Sequence, residues 1–349
     1  MSRAATAPGR AARSARSAAT AVGRHREPFW RSLVSKPAWK WIKRFGAIAF
    51  LLVVATLIFS EARKVRWHEV AATIGAMSPL TLAAALGLAA CSHLLYSCFD
   101  LLGRWYTGHH LPTRTVLGVT SVSYAFNLNV GTLIGGAGVR LRLYLQHGLK
   151  LDPTARIITL AMLTNWIGHL VLAGIVVILQ PIPIPLEGLR DPVVRWLVGG
   201  ALLAVPVAYA AAAGTMKQRV LQVRGHRLKL PNFRLAVLQI AMSCANWMIM
   251  ATLIWTLLGG KIEYPAVLFA LLAAAIAGVL LHVPAGLGVI EGVFVALLGD
   301  RLPKEVIIAA LLAYRVMYYL LPLAIAAPMY FAFEMRVRGR KRESEATSK

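Results

Sequence analysis

Leu281-His282-Val283-Pro284-Ala285-Gly286-Leu287-Gly288-Val289-Ile290-Glu291-Gly292 interrupts an apolar run that extends over 265–298. Proline removes a backbone donor and clashes with the preceding turn, and glycine withdraws the side-chain packing that holds a helix together. The run is therefore expected to break near its middle, placing the Glu291 carboxylate at membrane depth. In hydrocarbon, freed backbone groups are tolerated only where protein or a water-filled cavity covers them, so the break itself predicts a cavity.

Composition agrees with a membrane location for that break. Of 349 residues, 58% are hydrophobic and only 15% charged, with a mean hydropathy of +0.63. A water-soluble core cannot hide that much apolar surface, and repeated runs near span length indicate a polytopic integral membrane protein. Thirty-eight basic against fourteen acidic residues give a formal charge of +24. The basic residues fall in the tails and between apolar runs. That is a positive-inside pattern, with anionic membrane phospholipid and no nucleic acid as the expected partner. Cys91, Cys98 and Cys244 all lie within apolar runs and form no ligand set, which fits packing residues.

The chain divides into three regions. Residues 1–44 are Arg-rich and then basic, with Trp30, Trp39 and Trp41 before the first span; a disordered cytoplasmic tail ending in an interfacial anchor is expected. An organellar transit sequence shares the Arg-rich start, but not the tryptophan-bearing basic stretch after it. Residues 45–335 form the integral domain, and 336–349 a second basic cytoplasmic tail. Within the domain, apolar stretches cover 45–60, 80–102, 114–133, 157–179, 193–213, 235–258, 265–298 and 306–333.

Charge tests whether all eight cross. Lys217, Arg219, Arg224, Arg227, Lys229 and Arg234 crowd one loop, whereas the loops at 180–192 and 259–264 carry one basic residue each. Every strongly basic loop falls on one side if the third and seventh stretches enter and return as re-entrant hairpins. The expected fold is thus all-α, about six full spans plus two broken hairpins, opposed in the manner of an inverted-repeat transporter. A single long broken span is the alternative at the seventh stretch, because 265–281 alone reaches about 25 Å at 1.5 Å per residue.

Polar groups inside the membrane carry the chemistry. Burying the Arg315 charge costs on the order of 3 kcal/mol even on a mild insertion scale, so a partner is required. Glu291 is the acid at matching depth. Two readings stand: a structural ion pair, or a site in which Arg315 takes a head-group phosphate or Glu291 carries protons. Arg140 and Arg142 come directly after the cluster Gly135-Gly136-Ala137-Gly138 and are either positive-inside loop charge or guanidinium forks for phosphate beside glycine N–H groups. Tyr124, Asn127, Asn129 and Thr132 make the approach to that cluster unusually polar. Asn165, His169, His93, Asp100 and Asn246 fit interhelical hydrogen bonding.

These stretches resemble a known family. Tyr124-Ala125-Phe126-Asn127, Gly135 to Tyr144, Pro284 to Glu291 and Tyr314-Arg315-Val316-Met317-Tyr318-Tyr319-Leu320-Leu321-Pro322 look like the lysylphosphatidylglycerol synthase transmembrane family. This is the flippase-like module of the multiple peptide resistance factor and of stand-alone bacterial relatives. The resemblance covers about 45–335. It implies an inner-membrane protein that binds and translocates an anionic or aminoacylated phospholipid between leaflets. A short basic tail stands here where the fused relatives carry their aminoacyl-transferring domain, so lipid synthesis is not implied. Ala285 replaces the second glycine of the family's Pro-Gly-Gly-Leu-Gly loop.

The expected lipid-binding residues are Arg140, Arg142, Arg315, Glu291, Asn127, Asn129 and Tyr124. Gly135, Gly136, Gly138, Pro284, Gly286 and Gly288 are the expected hinges. No catalytic residue, metal or cofactor is expected, and no GxxxxGK[ST] motif is present. A membrane enzyme acting on a lipid or polyprenyl phosphate is one alternative, although such enzymes usually gather several acids or histidines. A non-transporting membrane partner protein, recruiting another complex through its basic tails, is another, although it would need none of the buried polar residues.

Overall fold

The computed structural model describes residues 72, 75–179, 190–216, 220–223, 226–281 and 286–347. Contacts divide the chain into Met1–Thr56 and Leu57–Lys349, and every described residue lies in the second unit. The expected first span, the tail anchor, the proline-rich loop and Pro284 fall outside the described residues.

Helices α1 (Pro79–Ser97) and α2 (Phe99–Thr107) form one long apolar segment. Ser78 starts it, its hydroxyl accepting from Thr81 N at 3.1 Å, with Pro79 at the first helical position. Helix α3 (Thr113–Val130) is next, then a π-helical segment Thr132–Gly138 and α4 (Val139–Gln146). Helices α5 (Leu151–Leu179) and α6 (Pro192–Thr215) come after these. A two-stranded antiparallel hairpin, β1 (Val220–Val223) with β2 (His226–Lys229), sits in the basic loop before α7 (Phe233–Leu257). Helices α8 (Tyr264–Leu281) and α9 (Val289–Leu298) precede α10 (Lys304–Arg315), a second π-helical segment Val316–Leu320, and α11 (Leu321–Thr347).

Among the described residues, six segments are long and apolar enough to cross a membrane: Pro79–Thr107, Leu151–Leu179, Pro192–Thr215, Phe233–Leu257, Tyr264–Leu281 and Lys304–Met335. Large apolar side chains remain uncovered on these helices, including Leu197, Val207 and Leu280. In water they would be a liability; in a bilayer they face lipid. The protein is a polytopic helical membrane bundle.

Both hairpins form. The first turns at Gly131, whose φ of +99° is open to glycine, and the π-helical segment packs back along α3. A Cβ on Gly135 would overlap the backbone carbonyl of Phe126 and the backbone amide of Asn127. Gly135 is therefore a close-approach residue, and the reversal itself occurs four residues earlier than the glycine cluster suggests. Gly138 has ordinary helical φ and ψ, of −65° and −49°. In the second hairpin α9 packs against α8, which resolves the alternative at the seventh stretch in favour of a reversal. Gly286 and Gly288, at φ of +58° and +74°, form its turn.

The contact pattern is repeated. The α1–α2 span packs on α3, α4 on α5, and α2 on α5; likewise α7 packs on α8, α9 on α10, and α7 on α10. Between the two sets the chain passes through α5, α6 and α7. Three single crossings are an odd number, so the hairpins open towards opposite faces. Close crossings hold these three together: a Cβ on Gly168 of α5 would collide with Ser243 of α7, and Gly174 of α5 lies against the Gly199 carbonyl of α6. Small residues at such crossings let backbones approach, the main source of helix association in lipid.

Candidate functional site

Each of three buried or half-buried arginines meets one carboxylate. Arg315 lies at the end of α10, with only 7% of its side chain exposed. Its Nε donates to Glu291 Oε1 at 2.7 Å and its Nη2 to Glu291 Oε2 at 2.9 Å, with the Gly286 carbonyl accepting at 3.1 Å. The guanidinium also lies over the Tyr319 ring, 5.7 Å from its centroid. The ion pair expected from sequence is present and straps the return arm of the second hairpin to α10.

Arg142, on α4, donates through Nε to Glu334 Oε1 at 2.5 Å. The same oxygen accepts from Gln146 Nε2 at 2.7 Å and from Tyr330 O–H at 3.2 Å. Glu334 lies on α11, so this cluster ties the first hairpin to the helical run that carries Arg315. Sequence reasoning passes over Glu334 because it borders the basic tail and looks like an interfacial acid. Its position at i+4 from Tyr330 puts the two on one helix face, but does not by itself point to Arg142.

Arg140 differs from both. It is buried at 3% exposure, so it is not a loop charge. Its Nε stands 3.5 Å from Asp100 Oδ2, too far for a hydrogen bond, and has no hydrogen-bond partner. The guanidinium sits over the Tyr96 ring at 5.8 Å. Asp100 is fully buried; Oδ2 accepts from Tyr144 O–H at 2.7 Å, and Oδ1 has no partner. Sequence alone assigns Asp100 to interhelical hydrogen bonding. The bond from Tyr144 of α4 agrees with this, and the structure adds that the carboxylate is also the counter-charge to Arg140.

Beside Arg140 lies a cavity of about 80 Å³, lined by Tyr96, Asn127, Thr132, Gly136, Asn165 and Trp166 among others. Asn127 Oδ1 is buried and has no partner. Gly136 is required here, because a Cβ would press on the Asn127 amide oxygen at 2.5 Å. The hairpin break thus creates a polar pocket lined in part by Arg140, whose Nε faces Asp100. Such a pocket suits an anion.

A hydroxyl and aromatic network runs from this pocket towards Arg315. Tyr96 stacks on Tyr124 at 3.5 Å between centroids, and Tyr124 O–H meets Tyr318 O–H at 2.8 Å. Tyr318 also bonds Ser92 at 2.7 Å and stacks on Tyr314. Ser92 donates to Asn246 Oδ1 at 2.7 Å. Asn129 does not reach the pocket: its Nδ2 donates to the Ala125 and Tyr319 carbonyls at 2.8 and 3.1 Å, closing the α3 backbone against the second π-helical segment. Tyr124 is likewise part of the network and does not line the pocket. On the far side of His93, an apolar crevice of about 330 Å³ opens between α1, α3 and α11, lined by Leu86, Leu94, Met317, Leu321 and Ile325. Among the described residues no three His, Cys, Asp or Glu side chains gather as a metal site.

Outside the spans, burial and the nearby Arg104 charge hold the His109 imidazole below its usual range, and its ring lies 6.3 Å from that of Tyr144. It is therefore neutral at neutral pH and adds no charge to the Asp100–Arg140 pair.

Comparisons with known proteins agree with this architecture. The chain is 40% identical over 313 residues to "Inner membrane protein YbhN" of Escherichia coli, covering 89% of this chain and 98% of the relative. It is 30% identical over 320 residues to "Uncharacterized protein slr0712" of Synechocystis, again covering 98% of that protein. A "Phosphatidylglycerol lysyltransferase" of Staphylococcus haemolyticus is 26% identical over 309 residues, which are 85% of this chain but 34% of that enzyme. The family described as "Lysylphosphatidylglycerol synthase TM region" matches residues 45–326. The segment matched contains both hairpins and the Arg140 and Arg315 sites, and the chain belongs to the lysylphosphatidylglycerol synthase transmembrane family.

Proposed function

We propose that the protein binds an anionic or aminoacylated phospholipid and moves it between the leaflets of a bacterial inner membrane. The observation that carries this reading is the polar cavity at the first hairpin break, which the buried Arg140 lines together with the unpartnered Asn127 amide oxygen. A phosphodiester is the membrane anion that a guanidinium recognises, and the apolar crevice along α1, α3 and α11, on the other side of the Tyr96, Tyr124 and His93 rings, suits an acyl chain. Two hairpins open towards opposite faces, the arrangement that alternating access needs. The relation to a phosphatidylglycerol lysyltransferase and to an inner membrane protein supports the lipid class and the location. In this reading 45–335 is the translocating domain, and the basic segments 1–44 and 336–349 are cytoplasmic tails held at anionic lipid.

Gly135, Gly136, Gly138, Pro284, Gly286 and Gly288 lie at the moving parts. Arg142, Arg315 and Glu291 act as straps that release and re-form, while Arg140 and Asn127 take the head group.

The test is leaflet exchange of labelled phosphatidylglycerol and lysylphosphatidylglycerol by purified protein in liposomes. Exchange should depend on protein and fall at least about tenfold in Arg140→Gln, Glu291→Gln and Arg315→Leu, a loss of about 1.4 kcal/mol in barrier terms. Unchanged exchange in all three folded variants overturns the mechanism. Conversion of the lipid to a product would make the protein an enzyme.

A further inference from the structure

Three carboxylates accompany three arginines, but their geometries are unequal. Glu291 holds Arg315 with a two-pronged grip and Glu334 holds Arg142 at 2.5 Å. Asp100 stands 3.5 Å from Arg140 Nε without bonding it, and its Oδ1 is buried with nothing to accept from. A fully ionised, fully buried carboxylate normally collects donors on both oxygens. Here one oxygen has Tyr144 and the other has none.

An anion entering the cavity beside Arg140 takes the buried set from neutral to a net negative charge, with two anions sharing one guanidinium. Like charges in one buried site cannot both persist cheaply, and the usual resolution is that one of them takes a proton. Asp100 is the group placed to do so. Its free Oδ1 accepts the proton, Tyr144 O–H continues to donate to Oδ2, and Arg140 turns its full charge to the anion. The proton comes from solvent, no other bond is broken, and the site returns to neutrality.

We propose that Asp100 is a proton-binding site linked to anion binding at Arg140, so that each phosphate group taken into the cavity is accompanied by one proton. The inference rests on reading the cavity as a phosphate site and adds a coupling ion to it. The charged and titratable groups facing Asp100 are Arg140 and Tyr144 from α4, Tyr96 from α1 and His109 from the loop after α2. Among them only His109 ordinarily titrates between pH 5 and 8, and its shift takes it to the acidic side of that range.

Proton linkage has a defined sign. When binding takes up one proton, affinity rises as pH falls, by about tenfold per pH unit. The experiment titrates short-chain phosphatidylglycerol, and separately dimethyl phosphate, a diester with no proton to exchange near neutral pH, into purified full-length protein in detergent by calorimetry. Buffers of different ionisation heat report the protons taken up. The expected result is close to one proton per phosphatidylglycerol bound in the native protein and none in Asp100→Asn, which still binds but with affinity independent of pH. Tyr144→Phe should keep the uptake, since Oδ1 remains. The same uptake with dimethyl phosphate would show that the phosphodiester suffices; its absence there would assign the linkage to the rest of the lipid head group. Binding by the native protein without proton uptake overturns the linkage while leaving the cavity as a lipid site. Uptake that persists in Asp100→Asn also overturns it and points to His109. A folded native protein that binds neither probe at any pH removes the reading of the cavity itself.

Discussion

Arg315 and Glu291 face each other across the second hairpin in a fork-to-fork pair, Nε to Oε1 at 2.7 Å and Nη2 to Oε2 at 2.9 Å. The pair is largely screened from water, with 7% and 18% of the two side chains exposed. Removing one partner from such a pair leaves an uncompensated charge, whereas removing both does not. Arg315→Leu and Glu291→Leu should each destabilise by about 3–5 kcal/mol, and the double variant by clearly less than their sum. Thermal unfolding in detergent measures all three. A strictly additive double variant would deny the coupling.

Glu334 and Asp152 offer an internal contrast. Asp152–Arg156 is an exposed i,i+4 pair, with 46% of the arginine and 74% of the aspartate side chain open, and Asp152→Asn should cost no more than about 0.5 kcal/mol. Glu334 accepts from three partners and is 6% exposed. Glu334→Ala should cost about 3 kcal/mol or more by leaving Arg142 unpaired. Equal shifts in melting temperature would remove the strap between α4 and α11.

The glycines separate by surroundings. Gly135→Ala drives a methyl group into the Phe126 backbone, and Gly131→Ala is strained by its φ of +99°. Both should abolish a folded monodisperse peak in size-exclusion chromatography or lower stability by more than about 2 kcal/mol. Gly87 in α1 has no atom within 4 Å of an added Cβ, so Gly87→Ala should be neutral or stabilising by up to about 1 kcal/mol.

Tyr318→Phe keeps the rings stacked but strands the hydroxyl of Tyr124, while Ser92 still donates to Asn246. The expected cost is about 1–3 kcal/mol, with slower leaflet exchange. Tyr318→Phe with native stability and native exchange would show that the network is packing alone.

Opposed hairpins predict sidedness. Lys150 comes after the first hairpin and Lys261 precedes the second, and both are exposed. With Cys91, Cys98 and Cys244 replaced, Lys150→Cys and Lys261→Cys should react with an impermeant maleimide from opposite sides of sealed vesicles. Labelling of both from one side would contradict the three single crossings between them.

Much of the fold is readable in the chain because hydrocarbon imposes it: apolar length locates spans, and Gly and Pro locate breaks. The Glu291–Arg315 pair is readable for the same reason, since a buried charge in a span needs a partner. Asp100 and Glu334 are not, because each looks like an ordinary span-end acid until α4 is folded back against α2 and α11. Sequence places the reversal at Gly135–Gly138 because that cluster is the densest. The turn falls to Gly131, the one residue between α3 and the π-helical segment with positive φ, while the denser cluster serves contact with α3. Local sequence reports flexibility, but only tertiary contact shows which glycine is used for a bend and which for clearance.

Arg315 and Glu334 sit nineteen positions apart on one helical run from Lys304 to Thr347, about 28 Å along its axis. That is close to the thickness of the hydrocarbon layer. One end of this rod is moored to the hairpin that opens towards one face, the other end to the hairpin that opens towards the opposite face. If the protein moves lipid as proposed above, a tilt that slackens one mooring would tighten the other, like the beam of a balance, so that two doors would be kept from standing open together.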